Sequence, residues 1–254
     1  MQHLDVAHYK AIIAYDGTSF HGFQKQAEGR TVQGVLEDAL TQLGGGERVA
    51  VRGAGRTDSG VHATGQVIDF HLGWRKEEAE LLRALNAILP EDVALRSLVS
   101  IAGDFHPRYD ALSRTYVYMV LNSPFRQPLL RHTTHHESRP LDEGAMDEAV
   151  GYLLGEHDFA SFGRATTPSE STMRTLIAAR VWRDGELVRV RLEANGFLYR
   201  MVRSIVGSLL SIGRGEQPTN WMADLLAARD RAAAAPVIAP CGLCLVAVRY
   251  ASRQ

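Results

Sequence analysis

Residues 53–70 read GAGRTDSGVHATGQVIDF, and the chain is organised around them. Gly53, Gly55 and Gly60 flank a single Arg56-Thr57-Asp58 triplet, after which the stretch runs into an apolar segment. Glycine there permits sharp turns and lets another group approach the backbone closely. Arg56 and Asp58 are two positions apart, so in an extended segment they project from one face. A guanidinium within hydrogen-bond reach keeps a carboxylate ionised and orients it. An oriented, anionic Asp58 among glycines suits a carboxylate nucleophile or a general base. The same pair also suits a loop salt bridge that stiffens a hairpin, and residue types alone leave both readings open.

Downstream of the triplet, Ile68, Phe70 and Leu72 alternate with Asp69 and His71, the pattern of a half-buried antiparallel strand. Upstream, Tyr9–Tyr15 reads as a buried strand ended by Asp16-Gly17. Thr31 is placed to cap a helix whose apolar positions are Val32, Val35, Leu36, Ala39, Leu40 and Leu43, and Gly44-Gly45-Gly46 stops it. Val49–Arg52 starts a strand leading into the triplet. A helix over Lys76–Leu89 sets Leu82, Leu85 and Leu89 on one face, and Val93–Leu98 is another strand.

Phe105–Arg108 marks a boundary. Beyond it, Arg114–Leu121 is strand-like, with Tyr116, Tyr118 and Val120 on one face. The chain up to Pro140 is polar and irregular. Leu141–Leu154 is helical by Met146, Ala149, Val150, Leu153 and Leu154. Leu176–Trp182 and Leu187–Leu192 form a hairpin through Asp184-Gly185; Val188, Val190 and Leu192 face one way, Arg189 and Arg191 the other. Helices over Phe197–Ile212 and Thr219–Arg229 and a strand over Gly242–Tyr250 complete the chain. Strands and helices mix without regular βαβ alternation, which favours an α+β fold with antiparallel sheets over a doubly wound one. Two halves are expected, 1–105 carrying the Asp58 motif and 106–254, each with three or four strands and two helices.

Composition narrows the function classes. A chain of 254 residues can bury a sizeable core without a disulfide or structural metal. No apolar run approaches the roughly 20 residues of a membrane span, and MQHLDVAHYK lacks the apolar core of a secretory signal. Two cysteines do not make a disulfide scaffold, so a cytoplasmic location is expected. The net charge of −1 argues against a non-specific nucleic-acid coat but leaves room for a local basic cleft. Only Lys10, Lys25 and Lys76 are lysines among 28 basic residues, so 28 − 3 = 25 are arginines, which suit phosphate forks and base stacking.

Other motifs read as bland. Cys241-x-x-Cys244 lacks the second ligand pair of a zinc site and opens a strand rather than the helix of a redox pair. His132, His135 and His136 lack the spacing of a metalloprotease helix and read as a solvated loop. Gly53-Ala54-Gly55 lacks the continuation of a dinucleotide fingerprint. No metal ligand set is expected.

Five motifs in order, YDGTSFHGFQ, GRTDSGVHATGQV, SRTYVY, NGFLYRMVRSIVGSLL and GLCLVAVRY, span nearly the whole chain. Together they resemble the tRNA pseudouridine synthase A family. The resemblance implies two similar α+β halves, their sheets joined into one mixed sheet flanked by helices, with an active-site cleft between the halves. It implies an isomerase that converts uridine to pseudouridine at positions 38 to 40, in the anticodon stem-loop of tRNA, as a homodimer and without cofactor. Asp58 is then the catalytic nucleophile, and Tyr116, in SRTYVY, a substrate contact. Arg203 points to Asp58, and Arg56 or Arg203 keeps the carboxylate anionic. Leu245 borders the uracil pocket. Two other classes stand beside this one. One is an RNA-binding protein in which Asp58 is only structural. The other is a carboxylate-dependent hydrolase, for which Asp69 or Asp16 would supply the second carboxylate.

Overall fold

The computed structural model describes residues 6–165, 167 and 170–251. Two compact units emerge. The first holds the chain up to Leu112 together with the chain from Leu245 on, and the second holds Ser113–Cys244. Sequence reading drew its boundary at 105/106 and left the last strand with the second half. A strand that returns from far along the chain to pair with early strands gives no local signal of where it docks.

In the first unit, β1 (Val6–Tyr15) is followed by a short 3-10 turn at Gly17–Ser19 and by helix α1 (Val32–Leu43). The Thr31 side chain accepts a hydrogen bond from the Gly34 N–H at 3.2 Å, the expected N-cap, and Gly44 is the C-cap. Val32, Leu36, Ala39 and Leu40 are buried, as their spacing dictates. β2 (Arg52–Gly53) is only two residues long, against the longer strand expected over Val49–Arg52. β3 (His62–Gly73), helix α2 (Glu78–Ile88) and β4 (Val93–Ser100) follow. β1 lies between β4 and β3 and is antiparallel to both, and β2 pairs with β3.

Three details depart from the sequence reading. β1 is half-buried rather than buried: Tyr9, Ala11, Ile13 and Tyr15 face inward while Ile12 is exposed. In α2 the buried face is Leu81 and Leu85, with Leu82 to one side. Asp69, expected on the polar face of β3, is fully buried. Its carboxylate accepts from Arg52 Nε at 2.9 Å, from a second Arg52 nitrogen, and bonds His8 Nε2 at 2.8 Å. Burying one charge demands such partners, and neither lies near Asp69 in sequence, so alternation alone could not find them.

The second unit begins with β5 (Ala111–Asn122), in which Tyr116, Tyr118 and Val120 share the buried face as expected. β6 (His135–Glu137), helix α3 (Glu143–Gly151), β7 (Gly155–Asp158), β8 (Met173–Asp184) and β9 (Leu187–Ala194) follow. Helices α4 (Met201–Gly213) and α5 (Trp221–Ala228) come next, and β10 (Leu243–Tyr250) closes the chain. β9 is antiparallel to β5 and β8, β7 is antiparallel to β8, and β6 runs parallel to β5. The pairings named above are thus antiparallel except for β5 with β6, and the class is α+β. In the first unit, β10 lies beside β3.

The segment before Pro140 is less irregular than its polarity suggested. Glu137 is buried in β6, paired with Arg214 at 3.1 Å and Arg139 at 3.4 Å. His135 and His136 also lie in β6, half-buried, and only His132 is exposed. Burial lowers the His135 pKa. Leu154 lies beyond the end of α3 and is exposed. Helix α4 starts at Met201 rather than Phe197, because Arg200 adopts φ 62° and breaks the helical path.

Candidate active site

The Arg56-Thr57-Asp58 triplet lies between β2 and β3, and its burial alternates as in an extended run. Arg56 is exposed, Thr57 buried and Asp58 half-buried. The turn that follows is closed by the Val61 N–H donating to Asp58 O at 3.1 Å, with Gly60 at φ 77°.

The first motif of the chain, residues 15–24, forms the floor of this loop. The Phe23 N–H donates to Thr57 O at 3.1 Å, and the Gly60 N–H donates to Phe20 O at 3.4 Å. Ser59 Oγ donates to the same Phe20 carbonyl at 3.1 Å. Tyr15 Oη and Thr57 Oγ1 are 2.8 Å apart, and both residues are buried. The Gly17 N–H donates to His62 Nδ1 at 3.0 Å, and Asp16 Oδ1 stands 3.2 Å from that nitrogen. From the other side, Gln66 Nε2 on β3 donates to Gly55 O at 2.8 Å.

Two glycines are required by this packing. A Cβ on Gly22, at φ 93°, would lie 2.7 Å from Thr57 O, and one on Gly17 would lie 2.0 Å from Val61 O. Phe20 and Phe23 are buried beneath the loop. The two motifs are thus one structural unit. Their separate matches in sequence reflect a single hydrogen-bonded arrangement that sets Asp58 at a partly exposed position over a rigid base.

Leu245 also belongs to the first unit and is fully buried. On the neighbouring residue, Val246 O would lie 2.1 Å from a Cβ on Gly65, so β3 and β10 approach closely at that point. Tyr116 and Arg203 belong to the second unit. Tyr116 is 8% exposed, and its ring meets Phe197 edge-on at 5.1 Å, which fixes its orientation. Arg203 stands on the first turn of α4, half-buried, and its Nε donates to Ile238 O at 2.8 Å.

On β9, Val188, Val190 and Leu192 are buried while Arg189 and Arg191, on the opposite face as expected, are more exposed, each near an acid. Arg189 donates to Asp184 at 2.9 Å, and Arg191 stands 3.5 Å from Glu193. Cys241 is half-buried and Cys244 buried, and burial raises the Cys241 pKa. Among the described residues, no cluster of three or more His, Cys, Asp or Glu side chains could hold a metal ion. Among the same residues, no helix is long and apolar enough to cross a membrane.

Sequence reasoning singled out Arg56 and Asp58 but missed the residues that hold them, Tyr15, Thr57 and Gln66. Two weak signals pointed there. Gln66 is a polar residue inside an apolar strand run, and Tyr15 ends a buried strand immediately before the Asp16-Gly17 turn.

Comparison with known proteins bears on the same segments. The family model described as tRNA pseudouridine synthase matches residues 11–110 and 149–251. Asp58, Arg203 and Leu245 fall inside those segments, and Tyr116 lies in the stretch between them. A tRNA pseudouridine synthase A of Streptococcus sanguinis (strain SK36) is 42% identical over 244 residues, 95% of this chain and 98% of that protein. Proteins of the same name from Shewanella sp. (strain MR-4) and Klebsiella pneumoniae (strain 342) are each 44% identical over 238 residues. Those alignments cover 94% of this chain, with 91% and 88% of the respective relatives. A chain in the crystal structure of a Cbf5-Nop10-Gar1 complex is far more distant. It is 12% identical with a TM-score of 0.32, over 80% of this chain and 54% of that one. Identity of 42–44% over most of the chain, with a family model that matches the Asp58 loop and the last strand, leaves one assignment: the chain belongs to the tRNA pseudouridine synthase family.

Proposed function

We propose that this chain isomerises uridine to pseudouridine in tRNA, with the Asp58 carboxylate as nucleophile. The observation that carries the reading is the setting of Asp58: a half-buried carboxylate on a turn whose neighbouring residues are fixed from below by another motif. Preorganised placement of this kind supplies much of what a nucleophile needs.

The reaction breaks the N1–C1′ glycosidic bond, turns the uracil, and joins C5 to C1′. C5 loses a proton and N1 gains one, so the product has the composition of the substrate. No electrons and no group leave the system, and the balance calls for no redox or nucleotide cofactor. The carboxylate acts by adding to C6 of the uracil or by attacking C1′ of the ribose. Either route needs the anion, which Arg56 or Arg203 stabilises by charge.

The target base must leave its stack, at a cost of a few kcal/mol. The Tyr116 ring offsets part of it by stacking on the extruded uracil, worth about 1–3 kcal/mol. The Tyr116 hydroxyl bonds the carboxylate or handles the C5 proton. Leu245 borders the uracil. The substrate region is the anticodon stem-loop at positions 38 to 40. The working form is a homodimer in the cytoplasm, where tRNA is matured. These assignments follow the family resemblance.

The test is to incubate the purified protein with an unmodified tRNA transcript and map pseudouridine at each nucleotide. Product at positions 38 to 40 is expected. Binding without product contradicts the proposal and leaves an RNA-binding protein, and release of free uracil marks a hydrolase.

A further inference from the structure

We propose that Gln66 and Tyr15 are positioning residues for the Asp58 turn, holding the residues on either side of Arg56, Gly55 by its carbonyl and Thr57 by its hydroxyl, from two adjacent strands. The proposal rests on the reading of Asp58 as nucleophile.

Gln66, on β3, is fully buried, and its Nε2 donates to Gly55 O at 2.8 Å. A carbonyl only accepts, so the amide must present its nitrogen to Gly55. That leaves Oε1 buried with no hydrogen-bond partner among the described residues. An orphaned buried acceptor destabilises the fold; an apolar side chain of similar length would remove it but would also take the donor from Gly55 O, so the two effects oppose. Stability alone therefore gives glutamine little advantage at this position. What the glutamine does is tie down the residue immediately before Arg56.

Tyr15, at the end of β1, is 4% exposed, and its hydroxyl meets Thr57 Oγ1 at 2.8 Å across 42 positions of sequence. Thr57 is itself buried, and its carbonyl accepts from the Phe23 N–H at 3.1 Å. Gly55 and Thr57, the residues on either side of Arg56, are thus each held by a buried side chain. The two strands that supply those side chains are paired: Ile13 of β1 is opposite Gln66, and Tyr15 is opposite Ala63. The clamp is built on strands rather than on the loop it holds. A nucleophile displaced by about 1 Å loses on the order of 100-fold in rate, so a clamp that limits such motion acts on the chemical step more than on binding.

Gln66→Met, Tyr15→Phe, Thr57→Val and the Tyr15→Phe/Thr57→Val double variant test this, each measured for single-turnover conversion at saturating enzyme, tRNA Kd and Tm. Gln66→Met deletes both the donor and the orphaned acceptor. Its Tm is expected to stay close to that of the parent, because the lost bond to Gly55 O and the lost orphan offset each other, while its rate falls by about tenfold or more with Kd unchanged. Tyr15→Phe loses a single oxygen and keeps the packed ring, and the same rate loss is expected. Thr57→Val is expected to match it, and the double variant to be no slower than the slower single one. A purely structural role moves Tm and leaves the saturated rate alone. Parent-like rates in Gln66→Met or Tyr15→Phe overturn the clamp. So do rate losses mirrored by weaker Kd, or additive losses in the double variant. Asp58→Asn, run beside them, separates the two readings. If Asp58→Asn is inactive and the clamp variants are not, the clamp is wrong and the nucleophile stands. If Asp58→Asn turns over at the parent rate, the nucleophile reading is wrong.

Discussion

Gly17→Ala adds one methyl group at the point where the first motif meets the Asp58 loop. Gly17 is buried and does not have positive φ, so alanine is not strained there by its own backbone. The cost comes from contact. The new Cβ would lie 2.0 Å from Val61 O and 2.5 Å from Val61 C, both backbone atoms that cannot rotate away. An ordinary non-bonded contact is about 3.5 Å, so the two segments must part by about 1.5 Å. Val61 N donates to Asp58 O, and Gly17 N donates to His62 Nδ1, so the displacement passes directly into the Asp58 turn. Overpacking of this kind costs about 1–3 kcal/mol, and each kcal/mol lowers Tm by roughly 2–4 °C in a chain of this size. Misplacing the carboxylate by about 1 Å predicts a fall on the order of 100-fold in single-turnover rate. Gly151→Ala is the control: nothing lies within 4 Å of its new Cβ. At this exposed last position of α3 it is expected to be neutral or stabilising by up to about 1 kcal/mol. Thermal melts and conversion of a tRNA transcript at saturating enzyme read both variants. A Gly17→Ala protein that melts with the parent and converts tRNA at the parent rate refutes the rigid coupling of the two motifs.

Tyr116→Phe keeps the ring against Phe197 and loses the hydroxyl. Affinity for tRNA is expected to hold while single-turnover conversion slows, and a parent-like rate removes the hydroxyl from the chemistry. Affinity for tRNA is expected to fall steeply with salt despite the net charge of −1, with the log–log slope reduced by about 1 for each phosphate contact removed. If Arg189 and Arg191 make such contacts, replacing both flattens the slope; an unchanged slope moves the phosphate footprint elsewhere. The Glu216 carboxylate, hydrogen-bonded by Arg214 and then Arg139, is held down to about 2. A depressed carboxylate stabilises the fold above its unfolded pKa, and that contribution fades as pH falls from the ordinary value of 4.5 towards 2. Melting curves across that window should show the parent losing more Tm than Glu216→Gln, and parallel losses contradict the pairing.

How much of this was legible in sequence depended on how local the signal was. Helix α1 was readable down to its Thr31 cap because the cap, the periodicity and the stopping glycines are all near one another in the chain. The start of α4 was misread because the apolar run continues through Phe197 and Leu198, and nothing in composition announces a left-handed Arg200. β7 was missed because GEHD carries no strand pattern; pairing with β8 makes it a strand. Asp69 was assigned to the wrong face because its partners, Arg52 and His8, come from other strands. The site divides the same way. Arg56 and Asp58 announce themselves by their glycine setting, whereas Tyr15 and Gln66 matter only through contacts 42 and 11 positions away.

The central claim is that the Asp58 carboxylate attacks the substrate. Asp58→Asn keeps the shape of the side chain and removes the anion, so the measurement is pseudouridine formed from unmodified tRNA in a single turnover at saturating enzyme, with tRNA Kd measured alongside. Parent-like binding and no product are expected from the variant. Product from Asp58→Asn at a rate close to that of the parent contradicts it.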